Sequence, residues 1–267
     1  MSNALDLTLL DLVIAAALLL VAGGVSVALG LGLGRRLALA AVRTVVQLML
    51  VGYVLAFVFG QGTLTAVAAM AAVMIVAAAR AAVRRPSHTY RGAFGHAFVT
   101  MLLAGLVITT VVTAGIIGIR PWFEPRYFVP LLGMVLGNSL TGVALGLDAL
   151  LSGVHDQRSR IELELALGAT AWEAARPHVR EAVRRGLIPI VNSMMVVGLV
   201  SIPGMMTGQI LAGADPVAAV KYQIVVMFMV AAATSLGCIG VVLLAVRRVF
   251  TPRHQLDLTP LRRQDDT

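Results

Sequence analysis

The sequence predicts an all-α, polytopic membrane protein with about seven transmembrane helices, its N-terminus outside and its C-terminus cytoplasmic. Three observations carry this. The chain of 267 residues is 59% hydrophobic and only 13% charged, whereas a soluble domain averages about 25% charged. Apolar runs near the ~20 residues needed to cross a bilayer recur along it. The arginines and the lysine fall between those runs, 18 on one side of the predicted membrane and 3 on the other, and the richer side is cytoplasmic by the positive-inside rule. The net charge of +8 arises from this sorting. No basic face is gathered on a soluble domain, so nucleic acid is not an expected partner; the lipid bilayer is. The single cysteine, Cys238, lies in an apolar run and excludes a disulfide framework or a cysteine metal site.

In order, the spans are expected at 7–33, 44–59, 64–83, 94–119, 128–151, 187–211 and 217–246. The first charges of the chain are Asp6 and Asp11 in place of a positive leader, so the first span is expected to be retained. Residues 60–63 and 212–216 read as tight outer turns. The outer segment 120–127 offers Trp122, Phe123 and Tyr127 as an interfacial belt. Residues 1–250 form one membrane domain. Within it, 152–186 is a long, charged, helix-prone cytoplasmic loop, and 251–267 is a cytoplasmic tail expected to fray. Gly133 with Gly137, and Gly142 with Gly146, give small-residue spacings that let helices approach closely, either within the chain or at a dimer seam. Asn138 between them needs a hydrogen-bond partner or lines water.

The sixth span is interrupted. Pro203 has no N–H, and inside a helix its ring would displace the carbonyl of Leu199; Gly204 follows, then Met205, Met206, Thr207 and Gln209. A freed carbonyl in hydrocarbon must find a partner or face a cavity. The break is therefore either a kink that shapes packing or part of a transport pathway with its gate at Pro203–Gly204.

Catalytic and proton-driven chemistry find little support. None of the thirteen acids lies at the middle of a span, and all five histidines fall in or beside the cytoplasmic segments. A carrier driven by an ion gradient usually needs a titratable group at depth. Ser139 and Ser201 have no base beside them in sequence, which argues against a hydrolase. There is no phosphate loop of the G-x-x-x-x-G-K-[ST] type. If the chain pumps, the energy comes from another chain.

The loop 152–186 is where another chain can push. Ile161, Leu165 and Gly168 share a helical face, and Gly168 interrupts the helix there. The bare physics leaves two readings, a helix resting on the inner leaflet and a turn fitted to a partner's groove. Glu164-Leu-Ala-Leu-Gly-Ala-Thr170, followed by Arg184-Arg-Gly-Leu-Ile-Pro189, resembles the coupling segment of ABC-transporter permeases, although the importer pattern sets its isoleucine and proline closer to the glycine. Arg43-Thr-Val-Val-Gln47 with Gly52-Tyr53, Pro130-Leu-Leu-Gly-Met134 with Gly137-Asn138, Gly198 through Gly213 with Asp215-Pro216, Lys221-Tyr-Gln-Ile224 and Arg253-His-Gln-Leu256 together resemble the Fet-type iron-export permeases, a group that includes the plant aluminium-tolerance permeases.

That resemblance implies a multi-pass permease of the cell (inner) membrane without an ATPase site of its own. It implies a separate ATP-binding subunit carrying ATP and Mg, a permease homodimer, and a coupling contact at Glu164, Leu167, Gly168 and Ala169. It implies export of iron or another metal; the alternative is export of a nucleotide sugar or other organic anion, as associated with the plant relatives. Arg43, Gln47, Asn138, Asn192 and Gln209 are then candidates to line a polar path. Met205 and Met206 offer soft thioethers to a metal, or simply pack. Arg43 can equally be an anion contact, a snorkelling anchor or a partner to the loop. No cofactor is expected on this chain itself.

Overall fold

The computed structural model describes residues 8–259 and 261–264. Its helices are α1 (Leu9–Ala28), α2 (Gly34–Gln61), α3 (Leu64–Val83), α4 (Ala93–Thr110), α5 (Pro125–Asp156), α6 (Arg158–Ala166), α7 (Ala171–Val196), α8 (Gly204–Leu211) and α9 (Pro216–Val249), with short strands β1 (His88–Tyr90) and β2 (Leu261–Arg263). α4 runs on as a π-helical segment, Val111–Ile116. α2, α3, α4 with that segment, α5 and α9 are each long and apolar enough to cross a membrane. The first expected span appears among the described residues as α1, apolar over Ile14–Ala28; Leu7 lies outside the described residues. The sixth is the apolar end of α7, a non-helical stretch and α8.

The helices divide into two compact units. The first is built on α1 and α2. Thr8 and Asp11 form a reciprocal cap at the start of α1, with Thr8 N donating to Asp11 Oδ2 at 2.8 Å. The turn into α2 uses Gly30 and Gly32 at positive φ, where the Ser26 hydroxyl accepts from Leu33 N at 3.1 Å. α2 starts ten residues before the expected 44–59 span, so Arg35, Arg36 and Arg43 ride on the helix rather than precede it. Arginine is a good helix former with an apolar stem, so its charge does not mark the boundary.

The second unit is organised around α5, which packs against α3, α4, α7 and α9. Leu131, Leu132, Val135, Leu147, Leu150 and Leu151 of α5 are fully buried. The glycine ridge of α5 serves this packing. A Cβ on Gly142 would meet the Gly186 carbonyl oxygen at 3.1 Å, and one on Gly146 would meet Cys238 Sγ at 2.7 Å. Conversely, a Cβ on Gly186 would lie 2.7 Å from the Gly142 carbonyl oxygen. Three helices thus touch nearly backbone to backbone around Cys238. Gly133 faces Met74, whereas nothing lies within 4 Å of a Cβ on Gly137. Asn138 satisfies itself within its helix by donating to the Met134 carbonyl at 2.9 Å.

The segment 152–186, expected to be helix-prone, is helical: it is the end of α5, all of α6, a tight corner and the first part of α7. Its charges form intrahelical pairs, Arg158–Glu162 at 2.8 Å and Arg185–Glu181 at 2.6 Å, which favour helix. The expectation of a frayed tail is corrected over the described residues. Phe250 bridges to Leu256, Asp257 N donates to the Val249 carbonyl at 2.8 Å, and β2 pairs antiparallel with β1 in the register His88↔Arg263. Polar composition hid the tail's backbone partners, which lie in the α3–α4 connection and are remote in sequence.

Candidate functional site

α7 links two interruptions of helix, and the candidate residues gather at them. The first is the corner between α6 and α7. α6 ends at Ala166 with Leu167 as its C-cap, and Gly168 takes φ +96°. Gly168 N donates to Leu165 O and Ala169 N to Glu164 O, each at 3.1 Å. This is a Schellman closure, which demands a residue comfortable in the left-handed region and so selects glycine. Thr170 then caps α7: its side chain accepts from Glu173 N, while Glu173 Oε2 accepts from Thr170 N at 2.8 Å. These hydrogen bonds hold the Glu173 carboxyl below its ordinary value of 4.5.

Glu164, Leu167, Gly168 and Ala169 therefore do come together, in one rigid turn. Glu164 pairs with Arg160 at 3.1 Å. Leu167 is 80% exposed, with Leu163 at 59% and Trp172 at 51% flanking it. An apolar knob is thus presented on charged helices, while Ile161 on the opposite face is buried. Trp172 was not singled out from sequence; a tryptophan two residues past a helix N-cap was the available signal. The tail also reaches this corner, because Ala171 N donates to His254 Nδ1 at 3.1 Å and His254 adopts φ +56° to place its ring.

The second interruption is the break. α7 ends at Val196, and Gly198 takes φ +84°. Gly198 N donates to Ser201 O at 2.9 Å, and Leu199 N and Val200 N both donate to Val196 O. Here the expected mechanism is corrected: Leu199 is not helical, so Pro203 displaces no carbonyl there. The helix stops at Val196, just before Gly198 and seven residues before the proline. Pro203 instead stands just before α8, where a missing N–H costs little, and its own carbonyl accepts from Thr207 N at 3.0 Å. α7 meanwhile continues through Pro177 and Pro189.

Beside the break lies a cavity of about 500 Å³. The end of α7 lines it with Met194, the broken stretch with Ile202, α8 with Met206, and α9 with Gln223, Met227 and Phe228. Met205 and Met206 part company: Met206 faces the cavity, while Met205 packs against the cluster of Val112, Leu131, Ile190 and Val226. Gln209 Oε1 and Gln223 Oε1 are buried with no hydrogen-bond partner among the described residues. Asn192 is exposed on α7, and Asn138 is exposed on α5. Arg43 and Gln47 are exposed on α2, in the first unit. Neither Asn192, Asn138 nor Gln209 lines the cavity. Gln223 and Met227 were missed as site residues, although Gln223 sits in the quoted Lys221–Ile224 motif; a polar residue two turns into an apolar helix was its signal. Among the described residues, no group of three or more histidine, cysteine or acidic side chains is placed to hold a metal ion.

Residues 9–250 match the family described as uncharacterised protein family UPF0014. The chain belongs to that family. A UPF0014 membrane protein of Synechocystis sp. is 40% identical over 232 residues, 85% of this chain and 88% of that one. The probable iron export permease protein FetB of Escherichia coli is 36% identical over 83% of this chain and 84% of its own. The protein ALUMINUM SENSITIVE 3 of Arabidopsis thaliana is 35% identical over 80% of this chain and 77% of its own. No solved structure matches. Membership and the apolar helices together make this a multi-pass membrane protein, related, as the sequence motifs implied, to a probable iron export permease and to the plant protein ALUMINUM SENSITIVE 3.

Proposed function

We propose that the chain is the membrane subunit of an ATP-driven exporter in the cell (inner) membrane, working as a homodimer with a separate ATP-binding subunit that carries ATP and Mg. The N-terminus is outside and the α6–α7 corner cytoplasmic, the orientation that the arginine distribution favours. The ATP-binding subunit docks on the corner through Leu167, Gly168, Ala169 and the apolar neighbours Leu163 and Trp172, with Glu164 at the edge. The cargo is a metal ion, a reading that rests on the name of the FetB relative.

One observation carries the proposal. A single helix of 26 residues, about 39 Å long at 1.5 Å per residue, joins the exposed corner directly to the break. Its middle is held where Gly186 crosses Gly142 and Gly146. A push at the corner therefore tilts α7 about that crossing and moves the stretch before Pro203–Gly204, the hinge or gate. The thioethers of Met205 and Met206 and the polar groups of Arg43, Gln47, Asn138, Asn192 and Gln209 are the candidate cargo contacts. Reconstitution with the ATP-binding subunit tests this: ATP-dependent metal export from vesicles should stop when Gly168 becomes Trp, with the permease still folded. Export that survives loss of the ATP-binding subunit but collapses with an uncoupler would instead establish a gradient-driven carrier.

A further inference from the structure

The Arg253-His-Gln-Leu256 motif lies in a tight turn at the end of α9. Thr251 N donates to Gln255 O at 2.9 Å, His254 N to Thr251 O at 3.1 Å and Gln255 N to Thr251 Oγ1 at 3.2 Å. Phe250, itself buried, bridges to Leu256, and Asp257 N donates to Val249 O at 2.8 Å. The turn is thus fastened to α9 at both of its ends, and where it moves the end of α9 moves with it.

His254 reaches from this turn across 83 residues of sequence to α7, where its Nδ1 accepts from Ala171 N at 3.1 Å. The first N–H groups of a helix have no partner inside it. The box of Thr170 and Glu173 takes their own two amides and leaves that of Ala171, for which His254 supplies the acceptor. Acceptance at Nδ1 puts the ring's proton on Nε2. Among the described residues, His254 is also the only non-glycine residue at positive φ, +56°. Asn, Asp and His tolerate that region best, yet it is strained for any side chain, and such backbone persists where its surroundings hold it in place.

We propose that His254 is a positioning residue that ties the α6–α7 corner to the end of α9, so that a push on the corner moves α9 together with α7. This rests on the exporter reading and adds to it a second route to the break. α9 lines the cavity beside the break with Gln223, Met227 and Phe228, and α7 lines it with Met194. With the tie in place, both helices at that cavity are driven from one point. Without it, α7 moves past α9 and the push is spent.

Three substitutions test the tie. Asn places its Oδ1 where histidine has Nδ1 and tolerates the left-handed region. Gln carries its carbonyl one bond further out, and Gly relieves the backbone but offers no acceptor. In the full chain in nanodiscs, amide exchange at Ala171 should quicken about fivefold in His254→Gln and His254→Gly and stay near the unaltered rate in His254→Asn. His254→Gly gives up the strain together with the hydrogen bond, so its melting temperature should barely change, which separates the tie from the fold.

In vesicles with the ATP-binding subunit, all three variants should still co-purify with it, because Leu167 is untouched, and should hydrolyse ATP at close to the unaltered rate. Fe(II) exported per ATP should fall about fivefold in His254→Gly and His254→Gln and be retained in His254→Asn. A merely structural role would lower melting, hydrolysis and export together and leave that ratio alone. Unaltered exchange at Ala171 in His254→Gly, or an unaltered ratio of export to hydrolysis, overturns the proposal. So does His254→Asn behaving as His254→Gly. ATP-dependent Fe(II) export missing from the unaltered chain overturns the exporter reading, and the proposal falls with it. The exchange measurement needs no ATP-binding subunit and so tells that failure from the proposal's own.

Discussion

The two ends of α7 use the same local device in opposite surroundings. At each, a glycine at strongly positive φ ends a helix, Gly168 at +96° and Gly198 at +84°. At the corner the paired bonds of the Schellman turn close the Glu164 and Leu165 carbonyls, and the reciprocal cap of Thr170 and Glu173 closes both of their amides. At the break, Leu199 is 89% exposed and the neighbouring Gln209 and Gln223 keep buried oxygens unpartnered. Under the proposed function the corner passes on a displacement and the break accepts one, with α7, held near its middle where Gly186 crosses Gly142 and Gly146, as the lever between them.

The largest effect is expected where the lever is held. Gly186→Val pushes a side chain into the Gly142 carbonyl, and overpacking of this kind should cost about 3 kcal/mol; thermal unfolding in detergent measures it. A loss below that would mean that α7 is free to slide on α5. Next, Gly168→Ala should cost about 1–2 kcal/mol, because a Cβ in the left-handed region is strained and the rigid corner cannot relax. Gly198→Ala carries the same strain in a stretch with more freedom to give, and is expected to cost less than about 1 kcal/mol. Equal losses at the two glycines would erase the contrast on which the lever rests.

Thr170→Ala should cost about 1 kcal/mol by uncapping α7, seen as faster amide exchange at its first turn with the rest of the helix unchanged. The smallest effect concerns pH. Hydrogen bonds from Thr170 lower the pKa of Glu173 in the folded chain, so the stability it adds is present above its ordinary value of 4.5. That stability is lost as pH falls through the lowered folded value. Exchange at the Thr170 amide should therefore quicken, relative to the rest of α7, only on acidification below that range, and Glu173→Gln should abolish the extra quickening.

Much of this architecture was readable from residue patterns, for identifiable reasons. Apolar length placed α3 at 64–83, its observed limits, because membrane helices are bounded by how much hydrocarbon they must cross. Gly168 was readable as a helix stop because only glycine sits easily at that φ. The break was found by its proline, but its cause was misassigned. Gly198 lies inside an apolar run and gives no compositional sign that it, rather than Pro203, ends the helix. Contacts between remote segments were not readable at all. Nothing in the tail sequence shows that Ala171 N meets His254 Nδ1, or that Leu261–Arg263 pairs with His88–Tyr90. Likewise Met205 and Met206 are alike as neighbours in sequence, yet successive helical positions point about 100° apart. One faces the core and the other the cavity.

The central claim is that the corner receives the push, and its most direct test is binding of the ATP-binding subunit to the Leu167→Glu permease. Leu167 is 80% exposed, so the substitution should leave folding and melting unchanged. The variant should lose co-purification with the ATP-binding subunit and its ATP-dependent transport, while Asn192→Ala on the far part of α7 retains co-purification. A Leu167→Glu permease that still captures the subunit and transports at the unaltered rate would contradict the account.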